Sequence, residues 1–348
     1  FQAEDGIRDR SPSRGLGDVY KRQSMHSSRI YSIPGLPLIG KSSFGNTLVN
    51  GSKRVPKPAK GIIACLIIQM FYLLKSFIQM KILLNNNDLN EALENVSNLG
   101  FVPTMGSLHK GHISLIKQSK KKCNKTIVSI FVNPKQFNNK NDFKKYPRNR
   151  KKDLSILKRL KVNYVYLPTV KEIYRVKRSS KIIISKKDKI LCAKYRKGHF
   201  EGVIDVMERL IENIKPQKIF MGEKDFQQLY LLKKYLRKHS SKIIECRTIR
   251  ERNKLALSSR NSLLQKREKN LAAKLITYIM KLKRKLNKLS NIKKTLNKTT
   301  NKINKLQNVK IEYLELRNIK NLKISNKLKN SKIFVSFYIN NVRLIDNF

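Results

Sequence analysis

Two histidines three residues apart, His109 and His112, sit in the string Pro103-Thr-Met-Gly-Ser-Leu-His-Lys-Gly-His112. The string joins a short apolar segment to a run with helical spacing. Backbone N–H groups at the start of a helix can cradle a phosphate, and the helix dipole favours negative charge there. Gly106 and Gly111 let the backbone approach a nucleotide closely. Once the helix begins, residues three apart share a face, so both imidazoles can meet one phosphate. Taken alone, such a pair is equally a surface feature or a metal-binding pair, and only the surrounding string argues for catalysis.

Three further groups of residues have chemical potential. In Phe131-Val-Asn-Pro-Lys-Gln-Phe137 the amides of Asn133 and Gln136 follow an apolar strand and can hydrogen-bond a hydroxy acid without adding charge. An Asn-Pro turn at a strand end would look the same, and Tyr146-Pro-Arg148 follows in the next loop. In Gly222-Glu-Lys-Asp-Phe-Gln-Gln228, Lys224 offers a compact positive charge to a phosphate, with Asp225 and Gln228 on the same cleft; by itself this is also a solvated helix start. In Leu257-Ser-Ser-Arg-Asn261, two hydroxyls and a guanidinium suit a triphosphate. Neither a Walker phosphate loop nor a Gly-x-Gly-x-x-Gly fingerprint occurs, which argues against P-loop kinases and dehydrogenases.

The elements that must hold these residues alternate. Strands are expected at 99–103, 126–132, 164–167, 218–221 and 243–249, and helices at 111–122, 153–160, 202–214 and 226–238. The segment Thr126-Ile-Val-Ser-Ile-Phe-Val132 is apolar and β-branched throughout, as a strand covered on both faces should be. Such alternation predicts a doubly wound parallel α/β sheet, with ligands beyond the carboxyl ends of its strands. All four groups of residues fall at those ends. After Asn261 the character changes to Lys-rich helices at 266–289 and 291–306, then strands at 309–316 and 333–339, which predicts a smaller α/β lid domain.

The expected organisation is therefore a non-core extension over 1–79, a catalytic domain over 80–249 and a lid over 250–348. Phe1–Gln23 resembles translated library adapter, and Ser24–Lys60 is acid-free, as in a transit peptide or in upstream sequence read in frame. The apolar run Gly61–Leu74 has 14 residues, short of the ~20 that span a bilayer. Met80 is the natural start of the patterned chain. The net charge of +54 is extreme, but Lys is spread over nearly every segment among Asn and Ile. No aromatic-studded basic groove accompanies it, so neither nucleic acid nor a membrane is expected as a partner. Cys65, Cys123, Cys192 and Cys246 show no metal or redox spacing and are expected to be reduced, cytoplasmic thiols.

The His-x-Gly-His string resembles that of nucleotidyl transferases related to class I aminoacyl-tRNA synthetases, and Leu257–Asn261 stands where those enzymes carry their second signature loop. All the motifs, in this order, resemble the pantothenate synthetase (pantoate–β-alanine ligase) family, from about Met80 to Asn347. Arg196-Lys-Gly-His-Phe-Glu-Gly202 and Arg343-Leu-Ile-Asp-Asn347 also match. The resemblance implies a Rossmann-like fold, ATP and Mg2+, the substrates pantoate and β-alanine, a pantoyl-adenylate intermediate and a homodimer. It also implies an ATP site made of Met105, Gly106, Ser107, Leu108, His109, Lys110, Gly111 and His112, then Gly222, Glu223, Lys224 and Asp225, the backbone at Ile249, and Leu257, Ser258, Ser259 and Arg260. His112, His109, Lys224 and Arg260 would be catalytic, with His112 a proton donor. Gln136, Asn133 and Gln228 would bind substrate, and Asp153 would lie at the metal.

Two departures from the family pattern stand out. Lys197 replaces a usual Pro, and Asn253-Lys254 replaces an Asp-Gly-like turn, where Asn253 is expected to absorb part of the lost backbone freedom. The rivals are another nucleotidyltransferase of the same superfamily, which would not need Phe131–Phe137 or the pair Gln227-Gln228, and a basic nucleic-acid-binding or membrane-anchored protein.

Overall fold

The computed structural model describes residues 80–178, 182–286 and 291–348. The expectations for residues 1–79, including the Gly61–Leu74 run and Cys65, lie outside them. Six strands form one sheet: β1 (Lys81–Leu83), β2 (Leu99–Thr104), β3 (Lys125–Ile130), β4 (Tyr164–Tyr166), β5 (Lys218–Gly222) and β6 (Lys242–Cys246). Their order is β1-β4-β3-β2-β5-β6, and every neighbouring pair is parallel. Successive side chains of a strand point to opposite faces. Phe101, Ile127, Tyr166 and Ile219 accordingly enter one core, while Val102, Val128, Val165 and Phe220 enter another on the opposite face.

Parallel neighbours need crossovers, and helices supply them. The longer ones are α1 (Asn86–Leu93), α2 (Lys110–Lys122), α3 (Arg150–Arg159), α4 (His199–Ile214) and α5 (Phe226–Tyr235). Helix α4 buries Phe200, Val203, Ile204, Met207, Leu210, Ile211 and Ile214, the one-face spacing of an amphipathic helix. From β2 the chain winds outward to β3 and β4, and the later strands β5 and β6 lie on the other side of β2. The reversal between β2 and β5 opens a crevice at their carboxyl ends, where such sheets bind ligands.

A second sheet is antiparallel: β7 (Val309–Asn318), β8 (Ser331–Ile339) and β9 (Val342–Asn347). Helices α6 (Lys266–Lys285) and α7 (Ile292–Asn304) share a separate core with it, built from Ile276, Ile279, Leu296, Ile303, Leu314, Val335 and Phe337 among others. The doubly wound α/β expectation holds, with local differences at element ends, where α3 starts at Arg150 and α5 stops at Tyr235. Helix α4 starts at His199, three residues before the expected Gly202. Strand β6 ends at Cys246, so Arg247–Ile249 leaves the sheet as loop. Strand β9 had no sequence expectation, because Val-Arg-Leu-Ile-Asp-Asn carries two charges in six residues. Among the described residues no helix is long and apolar enough to cross a membrane, and Cys123, Cys192 and Cys246 are buried free thiols.

Candidate active site

Beyond the carboxyl ends of β2 and β5 lies a cavity of about 250 Å³. It gathers residues from all four sequence groups: Met105, His109, Gly111 and His112; Asn133 and Gln136; Gly222, Lys224, Asp225 and Gln228; and Leu257, Ser258, Ser259 and Arg260. Ile249 joins them from the loop after β6. Gly106, Ser107, Leu108, Lys110, Glu223 and Asp153, also expected at the site, are absent from the lining.

The loop from β2 to α2 explains part of that absence. Gly106 and Ser107 both take left-handed backbone, at φ +79° and +51°, a conformation that costs an L-residue roughly 1–2 kcal/mol. Two anchors hold it. Thr104 Oγ1 accepts the Gly106 N–H at 3.2 Å, and the Asp153 carboxylate accepts the N–H groups of Ser107 at 2.8 Å and Leu108 at 2.7 Å. Asp153 is 2% exposed at the start of α3. Asp153 was expected at a metal; here each of its carboxylate oxygens accepts a backbone N–H, so it shapes this loop from below. Ser107 and Leu108 turn their N–H groups to it for the same reason.

His109 caps α2. Its Nδ1 accepts the Gly111 N–H at 3.1 Å, and His112 Nδ1 accepts the His109 N–H at 3.3 Å. With both Nδ1 atoms acting as acceptors, each neutral ring carries its proton on Nε2. The rings lie 4.1 Å apart by centroid. Burial, then the Lys224 charge, lowers the His109 pKa to about 4. Burial, then His109 and Lys224, lowers that of His112 to about 3. The pair therefore presents two neutral N–H donors at a helix N-terminus, near the lysine.

Lys224 follows β5 and keeps its Nζ 3.8 Å from Asp225 Oδ1. The turn carrying it is held from the second sheet: Asn347 Nδ2 donates to the carbonyls of Glu223 at 2.8 Å and Lys224 at 2.9 Å. Glu223 faces the other way and meets Lys332 Nζ at 3.4 Å, which removes it from the cavity. Arg260 reaches Asp142 at 2.9 Å and stacks 5.9 Å from the Tyr146 ring. Ser259 Oγ donates to the Ser107 carbonyl at 3.3 Å, tying the fourth group of residues to the first.

Gln136 and Gln228 both reach the cavity, with Gln136 Nε2 2.8 Å from Met105 Sδ. Asn133 lines it too, but its amide is already occupied. Asn133 Nδ2 donates to the Gly202 carbonyl, and its Oδ1 accepts from the Lys135 N–H and the Tyr174 hydroxyl. That network fixes the turn carrying Gln136. Gly202 is needed beneath it, since a Cβ there would stand 2.4 Å from the Lys135 carbonyl oxygen.

Arg196 and His199 also line the cavity and were not among the expected site residues. His199 Nδ1 donates to the Gln136 carbonyl at 2.7 Å, and Arg196 Nη1 donates to His199 Nε2 at 2.8 Å. No acid pairs with Arg196 among the described residues. Burial, then Arg260 and Arg343, pulls its pKa down to about 10. The Arg196–Gly202 motif was the available signal, and it was used for resemblance only. Tyr146, Arg247 and Thr248 also line it, as do the apolar side chains of Val203, Val206, Met207, Leu210 and Met221.

Both sequence departures have a local account. Arg196–His199 is a type II turn: Gly198 has φ 78° and ψ −9°, and the His199 N–H reaches the Arg196 carbonyl at 3.1 Å. Lys197 occupies the position where Pro is preferred but not required. Glu251–Leu255 is a hairpin loop closed by bonds from Lys254 N–H to Glu251 O and Glu251 N–H to Leu255 O, both under 3.0 Å. Its left-handed residue is Lys254, at φ 74°. Asn253 does not absorb the strain as expected; its Oδ1 instead accepts the Leu255 N–H at 3.1 Å.

Residues 80–348 match the family model described as pantoate-beta-alanine ligase. The pantothenate synthetase of Flavobacterium psychrophilum is 38% identical over 266 residues, covering 74% of this chain and 94% of that protein. That of Endomicrobium trichonymphae is 40% identical over 280 residues, covering 77% and 97%. Among solved structures, the pantoate-beta-alanine ligase of Francisella tularensis, complexed with beta-gamma ATP and beta-alanine, superposes with a TM-score of 0.67 at 37% identity. That match covers 78% of this chain and 97% of the other. The pantothenate synthetase of Thermus thermophilus gives a TM-score of 0.72 at 28% identity, over 78% and 99%. With its motifs gathered on one cavity and these matches spanning all of the described fold, the chain belongs to the pantoate–β-alanine ligase family.

Proposed function

We propose that this protein condenses pantoate with β-alanine to pantothenate, converting ATP to AMP and pyrophosphate through a pantoyl adenylate. The observation that carries the reading is the facing arrangement in one cavity. Two neutral imidazole N–H donors and Lys224 stand at a helix N-terminus, with the amides of Gln136 and Gln228 on the same cavity.

In the first step the pantoate carboxylate attacks the α-phosphorus of ATP and pyrophosphate leaves. The Nε2–H groups of His109 and His112, with Lys224, offset the charge that builds on the phosphate oxygens. Donors that are neutral and already oriented need no proton rearrangement as that charge develops. Gln136 and Gln228 suit the pantoate hydroxyls and carboxyl. In the second step the neutral amine of β-alanine attacks the acyl carbon and AMP leaves. Arg196, which meets no acid, is placed for a substrate carboxylate. A Mg2+ ion bound with ATP would supply charge neutralisation on its phosphates. Asp225 is the carboxylate among the cavity's described residues, and a Mg2+ ion held mainly by substrate phosphates and water fits so sparse a donor set.

The division into a catalytic part over 80–249 and a lid over 250–348 belongs to this reading. So do a homodimer and a cytoplasmic setting. Asn347, Ser259 and Lys332 are among the lid's contacts to these turns, and a closed lid would keep the adenylate from water. The test is an assay with pantoate, β-alanine and Mg-ATP. Pantothenate and AMP are expected in equal amounts; ADP as product would refute the adenylate route.

A further inference from the structure

Behind the Gly222–Asp225 turn lies a second cleft of about 580 Å³. Five cations line it: Arg247, Arg250, Lys283, Arg284 and Lys332. The acid in its lining, Glu223, and the nearby Asp346 are already matched. Glu223 meets Lys332 at 3.4 Å, and Asp346, from β9, takes Arg250 in two bonds of 2.6 and 2.8 Å. Arg247, Lys283 and Arg284 have no acidic partner among the described residues. Burial, then the neighbouring Lys332 charge, lowers the Lys283 ammonium below its ordinary range. The cleft thus holds like charges together that a bound anion would relieve.

Its remaining wall is apolar, made by Met280, Leu328 and the Phe348 ring, over which the Arg250 guanidinium lies at 5.0 Å. Forked guanidinium groups suit the paired oxygens of phosphates, and the apolar wall suits a flat or greasy body. Arg247 and Thr248 line both this cleft and the catalytic cavity, on either side of the loop after β6.

We propose that this cleft is a second anion site, taking a small molecule that carries two or more phosphates on a flat or apolar body. It is separate from the ATP position in the catalytic cavity and is coupled to it through the Arg247-Thr248 segment. The proposal does not depend on the identity of the reaction.

The test uses the full chain and inorganic tripolyphosphate as probe, titrated calorimetrically. The wild type should bind two equivalents. The pair Lys283→Glu with Arg284→Glu should bind one, and the neutral pair Lys283→Gln with Arg284→Gln should weaken the second equivalent at least tenfold. The pair Lys281→Glu with Lys285→Glu reverses the same charge on the same helix outside the cleft, and should keep both equivalents. One equivalent in the wild type, two in the cleft reversal, or an equal loss in the control pair would each overturn the proposal, the last by showing bulk charge alone. Ligase turnover measured on the same proteins reports separately on the catalytic reading.

Discussion

Asp153→Asn separates two roles that the sequence left entangled. The carboxylate is buried and accepts two backbone N–H groups, at 2.8 and 2.7 Å, from the loop that begins the phosphate site. A hydrogen bond to a charged group contributes about 1.5–3 kcal/mol. Asparagine keeps one carbonyl oxygen and turns an NH2 toward the other donor, so one bond is lost and a donor–donor contact replaces it. The expected loss is about 2–3 kcal/mol, read as a lower urea midpoint at unchanged slope. Asp153→Ala loses both anchors and should cost about 3–5 kcal/mol, as for other disrupted buried networks. The released loop contains two successive left-handed residues, Gly106 and Ser107, and it leads directly into the His109 cap. The KM for ATP should therefore rise while the Mg2+ concentration needed for half-maximal rate stays put. A variant of wild-type stability that demands far more Mg2+ would refute this and return Asp153 to the metal.

Four further outcomes follow from the structure. His109 and His112 have folded values near 4 and 3, below the unfolded 6.5, so the unfolded chain binds more protons between those limits and stability falls as pH drops below 6.5. Each should cost about 2 kcal/mol by pH 5, and His112→Gln should remove about that much of the pH dependence of the urea midpoint. Lys254→Gly should stabilise by roughly 0.5–1 kcal/mol, since the relieved left-handed strain exceeds the added unfolded-state entropy, giving a higher melting temperature with unchanged turnover. Lys197→Pro, at the Pro-favoured position of its turn, should add about 0.4–1 kcal/mol; a fall in melting temperature would show that its backbone angle is not that of a type II turn. Asn347→Ala removes two bonds to the Lys224 turn, each worth about 1 kcal/mol, and should raise the KM for ATP about tenfold with little change in that for β-alanine.

The sequence made the catalytic cavity readable because its residues cluster at strand ends, where period and punctuation are strongest. Residues 126–132 announce a strand covered on both faces, and the histidine string announces a helix start; β3 and α2 lie there. Strand β9 was not readable, because its pairing with β8 (Val342 opposite Ile339) is a tertiary fact, and its Arg and Asp disguise it as loop. The anchoring role of Asp153 was not readable for a related reason. A carboxylate near a phosphate loop suggests a metal, and only geometry shows both of its oxygens under backbone N–H groups from a segment 45 residues away. His199 and Arg196 went unassigned because their task passes through the carbonyl of Gln136, a contact across 63 residues that no local pattern records.

The extreme positive charge of the chain bears less on catalysis than its size suggests. Charge spread over the surface steers ATP toward the protein but is screened within about 10 Å by ordinary salt. At the proposed phosphate position stand two groups that burial keeps neutral, His109 and His112, beside the Lys224 ammonium. Neutral N–H donors fixed by the α2 cap are already oriented, so no reorganisation is needed as negative charge grows on the oxygens they face. The cap and the chemistry are thus one arrangement. The hydrogen bonds that each Nδ1 accepts from backbone N–H groups both start the helix and settle which nitrogen of each ring is left to donate.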